Sequence, residues 1–223
     1  MISVAVVALA ATACIPRYPT PAPGSRWNTH TIARGAHNAS VSRGADAPAP
    51  LLGITRRAGR TYHFVFDSSA RYRLTAPTQP EDQFDWNKLP GLSDCGQYDL
   101  SRHGLMFAWR WRLDLVPKVL EITAYWNDRG VHHTLDEPLL TLTRAQVDAR
   151  IPLWFRLRIS NDRQRYEFAL RARIAGREVS RTAVADRPCP RAGRELAKWA
   201  GGFYFGGTSV APQRVRGYSF ERR

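Results

Sequence analysis

The sequence of 223 residues has few residues suited to redox chemistry or flexible packing, with three cysteines and two methionines. Lysine is also scarce, and occurs only as Lys88, Lys118 and Lys198. The chain lacks a glycine-rich phosphate loop and a nucleophile elbow, which argues against a P-loop nucleotide hydrolase and an α/β-hydrolase. His132 and His133 have no third ligand at a usable spacing, which argues against a zinc site. No apolar run reaches the roughly 20 residues that a membrane-spanning helix needs.

The N-terminal residues predict an export signal over positions 1–13. Met1 to Ala13 is uncharged and apolar, is too short to span a bilayer, and ends in small residues before Cys14. Ala11-Thr12-Ala13-Cys14 resembles the lipobox of bacterial lipoproteins, in which the chain is cut before the cysteine and the thiol carries a lipid. This resemblance implies a lipid-anchored protein of the bacterial cell envelope, facing the periplasm or the surface. The alternative is ordinary signal cleavage and secretion.

Residues 14–26 predict a tether between that anchor and a folded domain. Prolines at positions 16, 19, 21 and 23 favour an extended, polyproline-like spacer. The remaining segment, 27–223, has the size of one β-sandwich or barrel domain and contains no internal repeat.

Alternating apolar and polar residues predict strands along most of the domain. Between Leu105 and Leu113 the odd-numbered residues are all apolar, while the even-numbered positions include Arg110 and Arg112. The same alternation marks residues 61–67, 119–126, 154–159 and 166–174, with turn signals between them. Only two short helices are predicted, Thr143 to Ala149 and Gly193 to Ala200. The pattern predicts an all-β fold, a two-sheet antiparallel jelly-roll (concanavalin-like) sandwich.

The cysteines agree with export. With Cys14 assigned to the lipid, Cys95 and Cys189 remain, and in an oxidising compartment they could pair. The bond would close a loop of about 95 residues and stabilise the domain by about 4 kcal/mol in the chain-entropy model. Both cysteines lie in loop-like sequence, so a disulfide and a pair of free thiols both stay open.

The acidic residues that precede the strand predicted from Leu105 to Leu113 form a candidate cofactor site. Asp82, Asp85 and Asp94, with Asn87, supply oxygen atoms that could bind a structural calcium ion. They show no ordered ligand repeat, so the alternative is that the protein binds no cofactor.

Basic residues outnumber acidic ones by 33 to 19, and the formal net charge is +14. The pairs Arg110/Arg112, Arg156/Arg158 and Arg171/Arg173 each fall on the non-apolar face of a predicted strand. If those strands share one sheet, the guanidinium groups form a basic platform suited to a polyanion. The alternative is an ordinary solvated outer face.

Acidic polysaccharide is the favoured polyanion. Nucleic acid would also be attracted to the positive charge, but the chain has no recognised nucleic-acid motif and an export signal removes it from the usual partners. Anionic lipid or lipopolysaccharide stays open as an alternative, because a tethered basic protein lies beside membrane surfaces. Trp86, Tyr98, Tyr125 and Trp154 are aromatic residues that could stack on sugar rings beside the arginines. The sequence does not indicate an oligomeric state.

The sequence resembles two groups of proteins. Asn87 to Leu92 (NKLPGL), followed by Gly104 to Trp111 (GLMFAWRW), resembles jelly-roll polysaccharide lyases of the alginate and glucuronan type, in which a KLPG loop precedes a strand ending in Trp-Arg. Phe203 to Thr208, with Ala211-Pro212, is similar to a late strand and loop of that family. The region from Trp27 to Phe220 resembles a group of uncharacterised exported bacterial lipoproteins with DQ-D-NKLPGLSDCG and YFGG-AP motifs.

Lyase chemistry would assign roles to several residues. β-Elimination from a uronate needs a cation or amide to neutralise the carboxylate, a base for the neighbouring proton and an acid for the leaving oxygen. Arg110 and Arg112 match the lyases' Trp-Arg strand, which implies a neutralising role, and Glu121 shares the polar face of Tyr125 as a further substrate-binding residue. The candidate acid and base residues are Tyr125, His103 and Lys88. Their structural alternatives are an exposed sheet tyrosine, a solvated loop histidine and a cation that locks a loop.

Three functions therefore stay open. The first is an exported protein that binds acidic polysaccharide on a basic sheet face. The second is a polysaccharide lyase that cleaves a uronate-containing glycan, and the third is a non-catalytic structural or interaction protein of the envelope. The fold alone cannot choose among them, because sandwich folds host enzymes and binding proteins alike.

Overall fold

The domain is a sandwich of two antiparallel β-sheets, which confirms the predicted fold. A computed structural model describes residues 27–42 and 53–221. The predicted signal peptide, Cys14 and the tether lie outside the described residues. The strands are β1 (Asn28–Ile32), β2 (Ala39–Ser42), β3 (Gly53–Thr55), β4 (Gly59–Phe66), β5 (Asn87–Lys88), β6 (Leu92–Ser93), β7 (His103–Arg112), β8 (Val119–Asp128), β9 (Val131–Thr134), β10 (Leu140–Thr143), β11 (Leu153–Ile159), β12 (Arg165–Ile174), β13 (Arg177–Asp186), β14 (Lys198–Ala200) and β15 (Val215–Glu221).

The two sheets contain seven and eight strands. The seven-stranded sheet has the order β13-β12-β11-β4-β15-β1-β2. The eight-stranded sheet follows the path β10-β8-β7-β6-β14-β3, with β5 added beside β7 and β9 beside β8. No helix within the described ranges is long and apolar enough to cross a bilayer.

The core lies between the sheets and is aromatic. Leu105, Phe107, Trp109 and Trp111 of β7 are buried there, as the odd-numbered register predicted. Trp109 stacks on Phe203 with ring centroids 5.7 Å apart. Burial of these apolar rings is the main force that holds the two sheets together.

One predicted helix forms and the other does not. Helix α1 (Arg144–Asp148) begins after Thr143, whose hydroxyl accepts from the Gln146 amide while the Gln146 side chain accepts from the Thr143 amide. The predicted helix from Gly193 to Ala200 is wrong, because its last three residues form β14 between β3 and β6. Sheet pairing thus outweighs the local helical spacing.

A disulfide and a buried ion pair join the sheets at one end of the sandwich. Cys95 and Cys189, whose pairing the sequence left open, form a disulfide. Beside it, Asp94 accepts hydrogen bonds from Arg187 Nε at 2.6 Å and Nη2 at 3.0 Å, with both side chains fully buried. Tyr166 also donates to Asp94, at 3.1 Å. Each buried charge therefore has a partner, which offsets the cost of removing it from water.

Candidate functional site

The six arginines of the predicted platform lie on different sheets and do not form one surface. Arg110 and Arg112 belong to the eight-stranded sheet. The other two pairs, Arg156/Arg158 and Arg171/Arg173, belong to the seven-stranded sheet. Both inner faces pack on the shared core, so the two outer faces point in opposite directions. Alternation placed each arginine correctly on an outer face, but it carries no information about which sheet a strand joins.

Arg110 and Arg112 are occupied by carboxylates. Arg110 Nε donates to Glu121 at 2.7 Å, and Arg112 donates to both Glu121 and Asp114. Hydrogen bonds to Asp114 and, to a smaller extent, to Glu121 raise the pKa of Arg112 above its ordinary value. The Arg110 guanidinium also stacks 4.0 Å from the centre of the Trp86 ring. Arg110, Arg112, Glu121 and Asp114 therefore form a neutralised network on the sheet, in which Glu121 binds both arginines.

Beside this network, the outer face of the eight-stranded sheet carries a cleft with a volume of about 1010 Å³. Its floor comes from outward-facing residues of β5, β7 and β8, and its walls come from the loops around residues 79–86, 98–101 and 199–208. Aromatic side chains account for much of the lining: Trp86, Tyr98, Tyr125, Trp199, Phe203 and Tyr204. Large clefts of this kind, with a few polar groups among apolar ones, are the usual sites for small molecules and chain segments.

The two motifs quoted for the lyase resemblance meet at the floor of this cleft. The Lys88 amide donates to the Tyr204 carbonyl at 2.8 Å, and the Tyr204 amide donates to the Lys88 carbonyl at 3.0 Å. Asn87 Oδ1 accepts from the Gly206 amide at 2.8 Å. The pairing needs glycine at position 206, because a Cβ there would lie 2.0 Å from the Trp86 carbonyl oxygen. Both segments are therefore structural supports of the cleft.

A buried arginine fixes the turn that follows Lys88. Arg60 Nη1 donates to the Gly91 carbonyl at 2.8 Å and to the Gly201 carbonyl at 2.9 Å. Its Nε donates to Glu221 at 3.0 Å. Since Arg60 and Glu221 belong to the seven-stranded sheet, this contact holds the cleft floor against the opposite layer.

Lys88 places a positive charge inside the cleft. Its Nζ lies 5.0 Å from the centre of the Tyr125 ring and 5.9 Å from that of Tyr204. Burial lowers the pKa of Lys88 to about 8, and the nearby Asp85 carboxylate offsets part of that effect. Among the described residues that line the cleft it is the only lysine or arginine. Lysine stands on the cleft face because it pairs with Ala108 of β7, an outward-facing position.

Tyr125, Asn127 and His132 form a polar group next to Lys88. Tyr125 and Asn127 alternate on the outer face of β8, and the hairpin to β9 brings His132 opposite Asn127. Asn127 Nδ2 donates to the Leu100 carbonyl at 2.6 Å, so its Oδ1 faces His132 Nδ1, also at 2.6 Å. An amide oxygen only accepts, so His132 Nδ1 carries the proton and Nε2 keeps a lone pair.

The acid-base properties of this group follow from its surroundings. Burial lowers the pKa of His132, and the positive charge of Lys88 lowers it further. Burial raises the pKa of Tyr125, and repulsion from Asp85 adds to that. The rings of Tyr125 and His132 have centroids 5.7 Å apart. At neutral pH the cleft thus holds a neutral imidazole, a protonated phenol and an ammonium within one small area.

Carboxylates also line the cleft, but two of them are already hydrogen-bonded. Asp82 accepts from Ser209 and, at 2.8 Å, from Thr208. Asp99 accepts from the amide and hydroxyl of Ser101 at 2.8 and 2.7 Å. The Asp85 carboxyl has a raised pKa because it is partly buried and lies near the negative charge of Asp82. The cleft therefore combines one cation with several hydrogen-bond acceptors.

The residues suggested for calcium do not come together. Asp94 is bound to Arg187, and Asn87 binds Gly206 and Tyr72. Only Asp82 and Asp85 remain near each other, in the segment that precedes β5. Within the described residues, the one cluster with metal-ligand geometry includes the two disulfide cysteines, whose sulfurs are already bonded to each other.

His103, the remaining candidate acid or base, does not line the cleft. It is an odd-numbered residue of β7, so it lies on the inner side of the strand, while the cleft lies on the side of Met106 and Ala108. Its Nδ1 is 3.7 Å from Asp128 at the end of the sandwich. Of the three predicted acid and base residues, the structure brings Tyr125 and Lys88 together.

Sequence reasoning missed Asn127 and His132 as members of the site. Their signal was nevertheless present: Asn127 has the alternation of Tyr125, and the two-residue turn Arg129-Gly130 sets Asn127 opposite His132.

No protein-family model matches the chain, and no curated protein matches it in sequence.

Proposed function

We propose that this protein binds an acidic polysaccharide in the cleft, with the carboxylate of one uronate ring at Lys88. The observation that carries the proposal is the position of Lys88 Nζ, which faces the cleft between Tyr125 and Tyr204. Within the described residues, Lys88 Nζ has no carboxylate oxygen within 4.0 Å. The guanidinium groups of Arg110 and Arg112, in contrast, both form ion pairs. An ammonium so placed favours an anionic group of a ligand, because attraction between charges is stronger away from bulk water.

The remaining lining suits the uncharged parts of a sugar chain. Tyr98 and Trp199 are exposed to 52% and 38% and offer flat apolar faces for sugar rings. Asp85 and Glu81 provide carboxylate oxygens that accept from hydroxyl groups. The net charge of +14 attracts a polyanion to the protein as a whole, while Lys88 sets the position of one carboxylate.

Matched lysine variants test this proposal. We expect Lys88→Gln to weaken binding of a polyuronate at least roughly tenfold in calorimetric titration, because a charge-assisted contact contributes about 1.5–3 kcal/mol. Lys118→Gln is the control, since it removes the same charge from an exposed position outside the cleft. Equal affinities of the two variants would contradict the assignment of Lys88.

The second candidate function is a polysaccharide lyase, and the grouping of Lys88, Tyr125 and His132 favours it. Lys88 and the Asn127 amide would neutralise the uronate carboxylate, which acidifies the adjacent C5 proton. His132 Nε2, with its free lone pair, would take that proton, and the C4–oxygen bond would break as the C4–C5 double bond forms. Tyr125 would donate a proton to the departing oxygen. The products are then a new hydroxyl end and an unsaturated uronate.

Ultraviolet absorbance of the unsaturated product distinguishes the two candidates. We expect a lyase to generate it from a polyuronate, and we expect His132→Gln and Tyr125→Phe to lose that activity while they still bind the polymer. Retention on a polyuronate column without any absorbance change would exclude the lyase and leave the binding function.

We also propose that the protein is exported and anchored to the envelope by a lipid on Cys14. The apolar segment before Cys14 and its likeness to a lipobox support this. Cys14→Ser should move the protein from the membrane fraction to the soluble exported fraction. A variant that stays with the membrane, combined with a wild-type protein whose mass shows no lipid, would contradict the anchor.

A further inference from the structure

The outer face of the seven-stranded sheet carries a row of aromatic and basic side chains that crosses four strands. Phe220 of β15 pairs with His63 of β4, and His63 pairs with Trp154 of β11. Trp154 in turn pairs with Arg171 of β12. Cross-strand partners share a face, so these residues lie side by side on the outside of the sheet.

Arginines flank Trp154 in this row. The guanidinium carbon of Arg171 lies 5.1 Å from the centre of the Trp154 ring, and that of Arg156 lies 6.0 Å from it. Arg173 follows Arg171 on the same side of β12. In the described part of the chain, none of these three arginines forms an ion pair. We call Trp154, Arg156, Arg171 and Arg173 the arginine patch.

The charges of this face remain positive after its carboxylates are counted. Arg158 is paired with Glu167 at 2.5 Å, and Arg165 lies opposite Asp186. Arg173 lies cross-strand from Glu178. Arg216 adds a further positive charge on the outward side of β15. The surface is thus a basic, partly aromatic sheet face, whereas the cleft is on the opposite sheet.

The N-terminal segment enters the domain on this same face. Trp27, the first described residue, contacts His63 and Phe220 with ring centroids 6.5 and 6.1 Å apart. Trp27 is thus at the other end of the row, and the predicted tether precedes it in the sequence. At about 3.1 Å per residue, an extended segment of that length reaches roughly 40 Å. A lipid on Cys14 would hold this face within that distance of the bilayer, at a high effective concentration.

We infer that the arginine patch docks on the anionic phospholipid headgroups of the membrane to which Cys14 is proposed to be anchored. Guanidinium groups bind phosphate oxygens in a forked geometry, and tryptophan is favoured at the level of the headgroups. Docked in this way, the domain presents its cleft away from the bilayer, towards polymers in solution. The inference rests on the proposed anchor for its orientation but not for its test.

Vesicle binding by the full-length exported chain with Cys14→Ser tests the patch without the lipid. We expect binding to mixed phosphatidylglycerol and phosphatidylcholine vesicles and much weaker binding to phosphatidylcholine alone. Changing Arg156, Arg171 and Arg173 to Gln should weaken the first interaction by more than roughly tenfold, because each cation near an anionic surface adds to the attraction. The control changes Arg102, Arg129 and Arg144 to Gln, which removes three exposed charges elsewhere. It should lower vesicle affinity less than about threefold, since distant charges are screened.

Three results would overturn the docking face. The first is an equal loss in both triple variants, which would reduce the effect to net charge. The second is equal binding to charged and uncharged vesicles. The third is a patch variant that loses polyuronate binding but keeps vesicle binding, which would make this face a glycan site. Lys88→Gln should leave vesicle binding unchanged, so failure of the cleft proposal and failure of the docking proposal are distinguishable.

Discussion

The two outer faces of the sandwich carry the same arginine pattern and use it differently. On the eight-stranded sheet, Arg110 and Arg112 bind Glu121 and help to hold Trp86 at the edge of the cleft. On the seven-stranded sheet, Arg156 and Arg171 lie against the Trp154 ring, and neither forms an ion pair with any described residue. Cross-strand neighbours explain the difference, because Arg110 lies opposite a glutamate and Arg156 lies opposite an alanine and a threonine. Partners in space, rather than position in a strand, decide whether an arginine is structural or available.

The largest expected effect is on the core that both faces share. Trp109→Ala should lower the free energy of unfolding by about 3–5 kcal/mol, because it leaves a cavity among Phe66, Tyr72 and Phe203. Trp154→Ala is the matched control on an outer face and should cost about 1 kcal/mol or less. Denaturant unfolding of both variants gives the comparison. Similar losses at the two positions would mean that the outer face is packed as firmly as the core.

A smaller difference is expected between the two glutamates that pair with arginines. Glu121→Gln should cost about 2 kcal/mol, because the glutamate is buried and its loss leaves Arg110 without its carboxylate partner and Arg112 with Asp114 alone. Glu167→Gln should cost less than about 1 kcal/mol, since its pair with Arg158 is partly exposed to solvent. Unfolding curves at low and high salt measure both. If salt removed the Glu121 effect, the eight-stranded face would be as solvated as the other.

The fold could be predicted from the sequence further than the site. Period-2 alternation predicted the buried odd-numbered residues of β7, and the capping pattern at Thr143 predicted α1. The segment from Gly193 to Ala200 was mispredicted because the helical spacing of its apolar residues is only a local preference. Pairing of its last three residues with β3 and β6 outweighs that preference. The sheet to which each strand belongs could not be predicted, since it depends on long-range pairing. For that reason the prediction of a single basic platform was wrong.

The cleft could be predicted only in part for the same reason. Lys88 and Tyr125 were named from motifs and from alternation, and they do lie together. His103 was named for its position at the edge of the strand that forms β7, but it lies on the inner side of that strand and does not line the cleft. Asn127 and His132 required the register of the β8–β9 hairpin. The walls of the cleft come from loops far apart in sequence, which local patterns do not connect.

The smallest predicted effect is a pH dependence of polyuronate binding that only the cleft should show. Because burial lowers the pKa of Lys88 to about 8, its side chain is charged below that pH and becomes neutral as the pH rises through it. Affinity should therefore fall severalfold between about pH 7 and about pH 9 in the wild type. Lys88→Arg keeps its charge over this range and should show a flatter profile. Identical profiles would indicate that the carboxylate binds elsewhere.

The most direct test of the division between the two faces is a titration of the isotopically labelled domain with a uronate oligosaccharide, followed by backbone amide chemical shifts. The largest chemical-shift changes are expected at Lys88, Asn127, His132 and Tyr204, around the cleft. The backbone amide chemical shifts of Arg156 and Arg171 should not change. Changes concentrated on Trp154 and its arginine neighbours, with the cleft undisturbed, would contradict the assignment of the ligand to the eight-stranded sheet.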